Sequence, residues 1–153
     1  MKRDFICLTD FSAETLNQLL NLAVRLKKEH KNGVPHRLLQ GKTLGMIFAK
    51  SSTRTRVSFE AGMYQLGGLA LFLSDREIQL GRGESIADTA RVLSRYLDLI
   101  MIRNDSHSEM SAFARHSQIP VINGLSERFH PCQAMADLLT IREIKGDLSR
   151  IKL

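Results

Sequence analysis

Apolar positions along this chain fall into two patterns that alternate. From Ser12 to about Lys31, Leu16, Leu19, Leu20, Ala23 and Leu26 recur at helical spacing and predict an amphipathic helix. Ser12 is placed to cap it, Glu14 suits its first turn, and Asn32-Gly33 stops it. Thr43–Ala49 is nearly continuous apolar sequence, which predicts a strand covered on both faces. The patterns then repeat. A helix is predicted from about Thr53 to Leu66, closed by Gly67-Gly68, and a strand over Leu69–Leu73. Ser74–Glu84 reads as a polar loop. Ser85 and Asp88 form a capping-box pattern opening a helix to about Tyr96. A strand over Leu97–Ile102 ends at Arg103, a short helix spans about Ser108–His116, and Ile119–Ile122 is a fourth strand. Pro131 suits the first turn of a final helix running to about Lys145.

Alternating strands and helices assemble most naturally as parallel βαβ units. The expected fold is therefore α/β, with three α/β/α layers around a four-stranded parallel sheet. A chain of 153 residues fits one domain, residues 1–153, and buries a real core. This topology has a chemical consequence. Ser52–Arg56 follows strand one, Arg103 ends strand three, and His130 and Gln133 follow strand four. All lie at the carboxyl edge of the sheet, where open α/β folds bind ligands.

The run Ser51-Ser52-Thr53-Arg54-Thr55-Arg56 holds four hydroxyls and two guanidinium groups at a predicted strand-to-helix junction. A helix N-terminus offers free N–H groups and the positive end of the backbone dipole to an anion. Arginine adds a planar fork that matches phosphate oxygens. The run reads as a phosphate cradle; a plain helix cap with solvated arginines is the alternative. Arg56 has two readings of its own, an anion contact or an ion pair with Glu60 one turn on.

Ser-Thr-Arg-Thr-Arg followed by Val57-Ser-Phe-Glu60 and Leu66-Gly-Gly68 resembles the carbamoyltransferases. Three further segments match in order: Gln79-Leu-Gly-Arg-Gly-Glu-Ser85, Asp88-Thr-Ala-Arg-Val-Leu93, and Asn123-Gly-Leu125 ahead of His130-Pro-Cys-Gln133. The last two look more like the ornithine branch of that family than its aspartate branch. The resemblance runs from about Phe5 to the C-terminus. It implies a strand order of 2-1-3-4 and a carbamoyl phosphate site. In it, Ser52, Thr53, Arg54 and Thr55 contact the phosphate, Thr55 also reaches the carbonyl oxygen, and Arg103 bridges phosphate and carbonyl. His130 is the implied carbonyl donor. Gln133 implies an acceptor for the carbamoyl NH2, and Gln79 a loop residue that closes a neighbouring subunit's site in a homotrimer. Arg54, Arg103 and His130 are the groups the resemblance makes catalytic, with no cofactor and no metal.

Composition narrows the alternatives. Net charge is +6, yet the basic residues are scattered, Trp is absent and no nucleic-acid motif appears, so no nucleic-acid partner is expected. No apolar run approaches the ~20 residues of a membrane span. Residues 1–10 lack the apolar stretch of a secretory signal. Cys7 and Cys132 have no pairing pattern and read as reduced thiols of a cytoplasmic protein. Cys132 is not read as a nucleophile, since no base is placed to activate it. With His130 it supplies too few ligands for zinc. His30, His36, His107 and His116 read as surface residues.

Carbamoyltransferases are built from two halves, and the second half's motifs Asp-x-x-x-Ser-Met-Gly and His-Cys-Leu-Pro do not occur here. The chain is therefore expected to be the carbamoyl phosphate-binding half without the amino-acid-binding domain, inactive or weakly active alone. Met135, Leu138, Leu139 and Ile141 of the final helix are expected to form a surface for that partner domain.

Overall fold

Four strands, β1 (Thr43–Phe48), β2 (Leu69–Ser74), β3 (Leu99–Arg103) and β4 (Val121–Leu125), form one parallel sheet in the order β2-β1-β3-β4. The structure is a computed structural model that describes residues 2–74, 83–148 and 151. Among those residues the helices are α1 (Ala13–Lys31), α2 (Thr53–Gln65), α3 (Ile86–Tyr96), α4 (His107–His116) and α5 (Pro131–Lys145), with a short 3-10 turn at Leu8–Asp10. The strand order is the one the family resemblance implies.

Helices begin where the sequence supplies hydroxyls. Ser12, Ser85 and Ser106 each cap a helix, their Oγ atoms accepting from Thr15, Asp88 and Glu109 N–H groups at 3.1–3.2 Å. The Asp88 N–H bond is one half of the expected box, and Ser85 Oγ also donates to Asp88 Oδ2 at 2.7 Å.

Alternation along β1 splits the core into two clusters. Ile47 packs with Ala90, Ile100, Ile102, Phe113 and Val121 beneath α3 and α4. Leu44, Met46 and Phe48 face the other way and pack with Met63 and Phe59 of α2. On that second face α1 and α5 flank an apolar groove of about 580 Å3, lined in part by Leu19, Leu20, Ile122, Met135 and Leu139. Met135, Leu138, Leu139 and Ile141 are half-buried, while Ile144 near the end of α5 is 72% exposed.

Two strands, β3 and β4, shift by two residues or more from the sequence expectation. β3 starts at Leu99 because Leu97 ends α3 and Asp98 makes a turn, its carboxylate accepting from Thr43 N–H at 2.9 Å. β4 does not stop at Ile122. It continues through Asn123 and Gly124, a pair that looks like a turn in sequence. Asn123 stays in the strand, wholly buried, because its side chain finds partners. An unforeseen element lies beside it. Phe5 forms a parallel bridge to Ile122, with Phe5 N–H donating to Val121 O at 2.7 Å and Asn123 N–H to Phe5 O at 2.9 Å.

Candidate functional site

The exits of β1 and β3 are tied together. Phe48 pairs with Arg103, and Ala49 N–H donates to Arg103 O at 2.9 Å. A register shift between Ile102 and Arg103 moves the pairing from Asn123 to Leu125 of β4. The N-terminus of α2 therefore stands beside the Arg103 side chain.

Ser52 is the N-cap of α2, in extended conformation. Its Oγ accepts from Thr55 N–H at 3.4 Å and donates to Thr55 Oγ1 at 3.1 Å. Arg103 Nη1 donates to the same Thr55 Oγ1 at 3.4 Å. A hydroxyl has two acceptor positions and one hydrogen, so these bonds leave the Thr55 hydrogen to donate outward. Thr53 and Arg54 stand exposed in the first turn, which carries no acidic residue, so the positive helix end is not neutralised from within. Arg56 takes the structural alternative. Its Nε donates to Glu60 Oε1 at 2.9 Å and its guanidinium lies 4.0 Å from the Phe72 ring centroid.

Arg103 is half-buried, and its Nε is a buried donor without a partner among the described residues. His130 occupies the N-cap position of α5 but makes no side-chain capping bond, and its Nδ1 is also buried without a partner among the described residues. A capping role therefore does not account for this histidine. Burial, then the nearby Arg103 charge, push the imidazole below its ordinary 6.5, with Asp137 pulling the other way. Near neutral pH the ring is uncharged and keeps one N–H to donate.

Gln133, in the first turn of α5, is exposed, and its Nε2 donates to Asp137 Oδ1 at 2.9 Å. Its amide oxygen is the atom the sequence reading assigns to a ligand NH2. Gln79 lies outside the described residues. Cys132 donates from Sγ to Asn123 O at 3.4 Å, and burial pushes its thiol up to about 11, which removes it from nucleophilic chemistry.

The structure thus brings Ser52, Thr55 and Arg103 into one bonded chain and puts His130 within electrostatic reach of Arg103. This rim can hold a dianion at a helix end and aim fixed N–H and O–H donors at an oxygen that gains charge.

Sequence reasoning missed the groups behind His130. His107 is half-buried rather than a surface residue. Its Nδ1 lies 3.0 Å from Ser126 Oγ, and its ring stands edge-on to Phe129 at 5.0 Å. His36 is likewise mostly covered, with a side chain 11% exposed, 3.7 Å from Glu29. The Ser126 and Phe129 partners of His107, about twenty residues on, leave no periodic trace in the sequence.

Comparison with known proteins gives this rim a context. A family model described as the carbamoyl-P binding domain of aspartate/ornithine carbamoyltransferase matches residues 3–143. An ornithine carbamoyltransferase of Oceanobacillus iheyensis is 60% identical over 151 residues, covering 99% of this chain and 47% of that protein. The solved ornithine carbamoyltransferase of Pyrococcus furiosus superposes with a TM-score of 0.92 at 57% identity, over 94% of this chain and 46% of the other. The catalytic subunit of M. jannaschii aspartate transcarbamoylase gives a TM-score of 0.87 at 36% identity, over 95% and 48%. The chain spans about half the length of the curated relatives it matches. With its sheet order and its family-model match over nearly the whole length, this chain belongs to the aspartate/ornithine carbamoyltransferase family, in its carbamoyl-P binding domain.

Proposed function

We propose that this chain is the carbamoyl phosphate-binding half of an ornithine carbamoyltransferase, which converts carbamoyl phosphate and L-ornithine to L-citrulline and phosphate. One observation carries the reading: Arg103 is bonded to the Thr55 hydroxyl at the α2 N-terminus, keeps a buried unpaired Nε, and lies close enough to depress the His130 pKa.

The chemistry follows from those groups. The phosphate is held by the α2 N-terminus, the Thr53 hydroxyl and the Arg54 guanidinium, while Ser52, whose hydrogen goes to Thr55 Oγ1, orders the Thr55 hydroxyl beside it. Arg103 spans the phosphate and the carbonyl oxygen. The amine nitrogen attacks the carbonyl carbon, and charge grows on the carbonyl oxygen. His130, neutral and carrying an N–H, and Thr55 donate to that oxygen in the transition state. The carbon–oxygen bond to phosphate then breaks and the electron pair leaves with the phosphate, which takes up the proton shed by the attacking nitrogen while Arg54 and Arg103 stabilise it. The Gln133 amide oxygen accepts from the carbamoyl NH2, which selects carbamoyl over acetyl.

The ornithine reading is favoured over aspartate by identities of 60% and 57% to ornithine enzymes against 36% to the aspartate enzyme. The amine is bound by a second half, which the apolar stripe of α5 is suited to meet. A homotrimer in which Gln79 completes a neighbour's site belongs to the same reading. Two free thiols, Cys7 and Cys132, suit a reducing cytoplasm.

The test is calorimetric titration with fresh carbamoyl phosphate of this chain and its Arg54→Ala variant, followed by an assay for citrulline after adding the C-terminal half of a relative. Binding lost in the variant and turnover regained on mixing support the reading. Binding that ignores Arg54, or turnover with aspartate in place of ornithine, overturns it.

A further inference from the structure

His130 makes no side-chain capping bond, and its Nδ1 has no partner, so its placement has to come from the loop that carries it. That loop, residues 126–130, is tied at Glu127 by its N–H donating to Asp105 O at 3.0 Å, and its Phe129 end is held to β4 by one buried side chain. Asn123 is 0% exposed, and its Nδ2 donates to Phe129 O at 3.2 Å, to Ile6 O at 2.9 Å and to Ser126 Oγ at 3.5 Å. Two carbonyl oxygens fix which way the amide faces, since the reverse orientation would set oxygen against oxygen. The Phe129 carbonyl, immediately before His130, also accepts from Ser126 N–H at 3.0 Å. Ser126 Oγ accepts from Phe129 N–H at 3.2 Å and contacts His107 Nδ1 at 3.0 Å. On the far side of His130, Cys132 Sγ bonds to the Asn123 carbonyl at 3.4 Å. The loop is thus held on both sides of His130 by one residue of β4.

The clamp also carries an energetic cost. Asn123 Oδ1 is buried without a partner, an unfavourable state that an apolar side chain would avoid. Neighbouring β4 residue Val121 fills an equally buried position with an apolar group. An amide retained at that cost is explained by what its nitrogen holds.

We propose that Asn123 is a positioning residue: its carboxamide clamps the loop of residues 126–130 to the N-terminal segment at Ile6 and thereby sets His130 against the carbonyl end of the substrate. The inference rests on the carbamoyl phosphate reading above. It implies that Asn123 serves the carbamoyl group and not the phosphate, which is held at α2 and Arg103.

The experiment compares dissociation constants for carbamoyl phosphate and for inorganic phosphate in the wild-type chain and in Asn123→Ala, His130→Ala and the double variant. Asn123→Ala weakens carbamoyl phosphate ~10-fold, the effect of about one hydrogen bond, and changes phosphate less than ~2-fold. His130→Ala gives the same selective loss, and the double variant is no weaker than His130→Ala alone. Equal losses for both ligands, or additive losses, overturn the proposal. If His130→Ala itself shows no selectivity, the carbonyl-donor reading of His130 fails and the proposal with it. If His130→Ala is selective and Asn123→Ala is not, the proposal alone fails. Should Asn123→Ala not fold, Ser126→Ala removes the hydroxyl that ties Phe129 to Asn123 and His107 and is expected to give the same selective loss; no loss overturns the proposal. A ligand-free readout is the His130 ring proton resonance by NMR, which shifts in folded Ser126→Ala if the clamp positions the ring and stays fixed if the clamp is only structural.

Discussion

Arg103→Met separates a residue kept for function from one kept for stability. The substitution preserves the apolar stem and removes the guanidinium. In the free protein that guanidinium contributes one long bond, 3.4 Å to Thr55 Oγ1, and carries an unpaired buried Nε. A neutral partner's bond is worth ~0.5–1.5 kcal/mol, and a buried unsatisfied donor costs ~1–3 kcal/mol. The two nearly cancel, so the variant is expected to unfold within ~1 kcal/mol of wild type, or to be slightly more stable. Backbone pairing survives, because Ala49 and Phe48 meet the Arg103 main chain. Binding moves the other way. A charge-assisted bond to phosphate is worth ~1.5–3 kcal/mol, so phosphate affinity falls ~10- to 150-fold. His130 supplies an independent reading. Its pKa is depressed first by burial and second by the Arg103 charge, so it rises toward 6.5 in the variant without reaching it. The linkage sign follows. A histidine depressed in the fold binds fewer protons folded than unfolded, so its neutral state supports the fold above pH 6.5. That support is lost as pH falls from 6.5 through the folded value, and in Arg103→Met the losing window is narrower. Phosphate calorimetry and urea melts above and below that pH measure all three effects. A variant that loses more than ~3 kcal/mol of stability while keeping its phosphate affinity would refute the reasoning and make Arg103 a structural residue.

Other expectations are simpler. Cys132, with its thiol pushed up to about 11, reacts with a thiol reagent at mildly alkaline pH far more slowly in the folded chain than in urea; equal rates would contradict its burial. Asp98→Ala removes the carboxylate that accepts from Thr43 N–H at 2.9 Å and Lys42 Nζ at 2.8 Å, and should cost ~1–2 kcal/mol in urea unfolding. The Asp98 carboxyl is held below its ordinary 3.8 by the Lys42 bond first and the Thr43 N–H second. Its support is therefore present above pH 3.8 and lost as pH falls through the folded value, and an acid melt of Asp98→Ala lacks that component. Gly124→Ala drives a Cβ into Met101 Sδ, which is itself fully buried, and is expected to cost ~1–3 kcal/mol by overpacking; a thermal melt unchanged from wild type would show that Met101 moves freely.

The parts of this molecule readable from sequence are those encoded locally. Leu16, Leu19, Leu20, Ala23 and Leu26 follow helical spacing in α1, and Ser12, Ser52 and Ser85 cap helices because an N-cap needs only a short hydroxyl in the right place. The rim was legible for the same reason: parallel strands joined by helices bring every strand exit to one edge, so Ser52, Arg103 and His130 gather there without any long-range knowledge. What escaped depends on partners distant in sequence. Asn123-Gly124 has turn composition, and only the Ile6 and Phe129 carbonyls make an asparagine acceptable in a buried strand. Phe5 joins the sheet edge through Val121 and Asn123 across more than a hundred residues of intervening chain, and no spacing rule marks such a bridge. His107 looks solvated because its neighbours on α4 are polar, yet Ser126 and Phe129 cover it. Arg56 is the converse case. Its local signal allowed two answers, and Glu60 one turn away together with Phe72 on β2 decided between them. The misses therefore cluster behind His130, where the fold uses side chains rather than backbone periodicity to hold a loop. That is also where a substitution can change binding while the secondary structure stays the same.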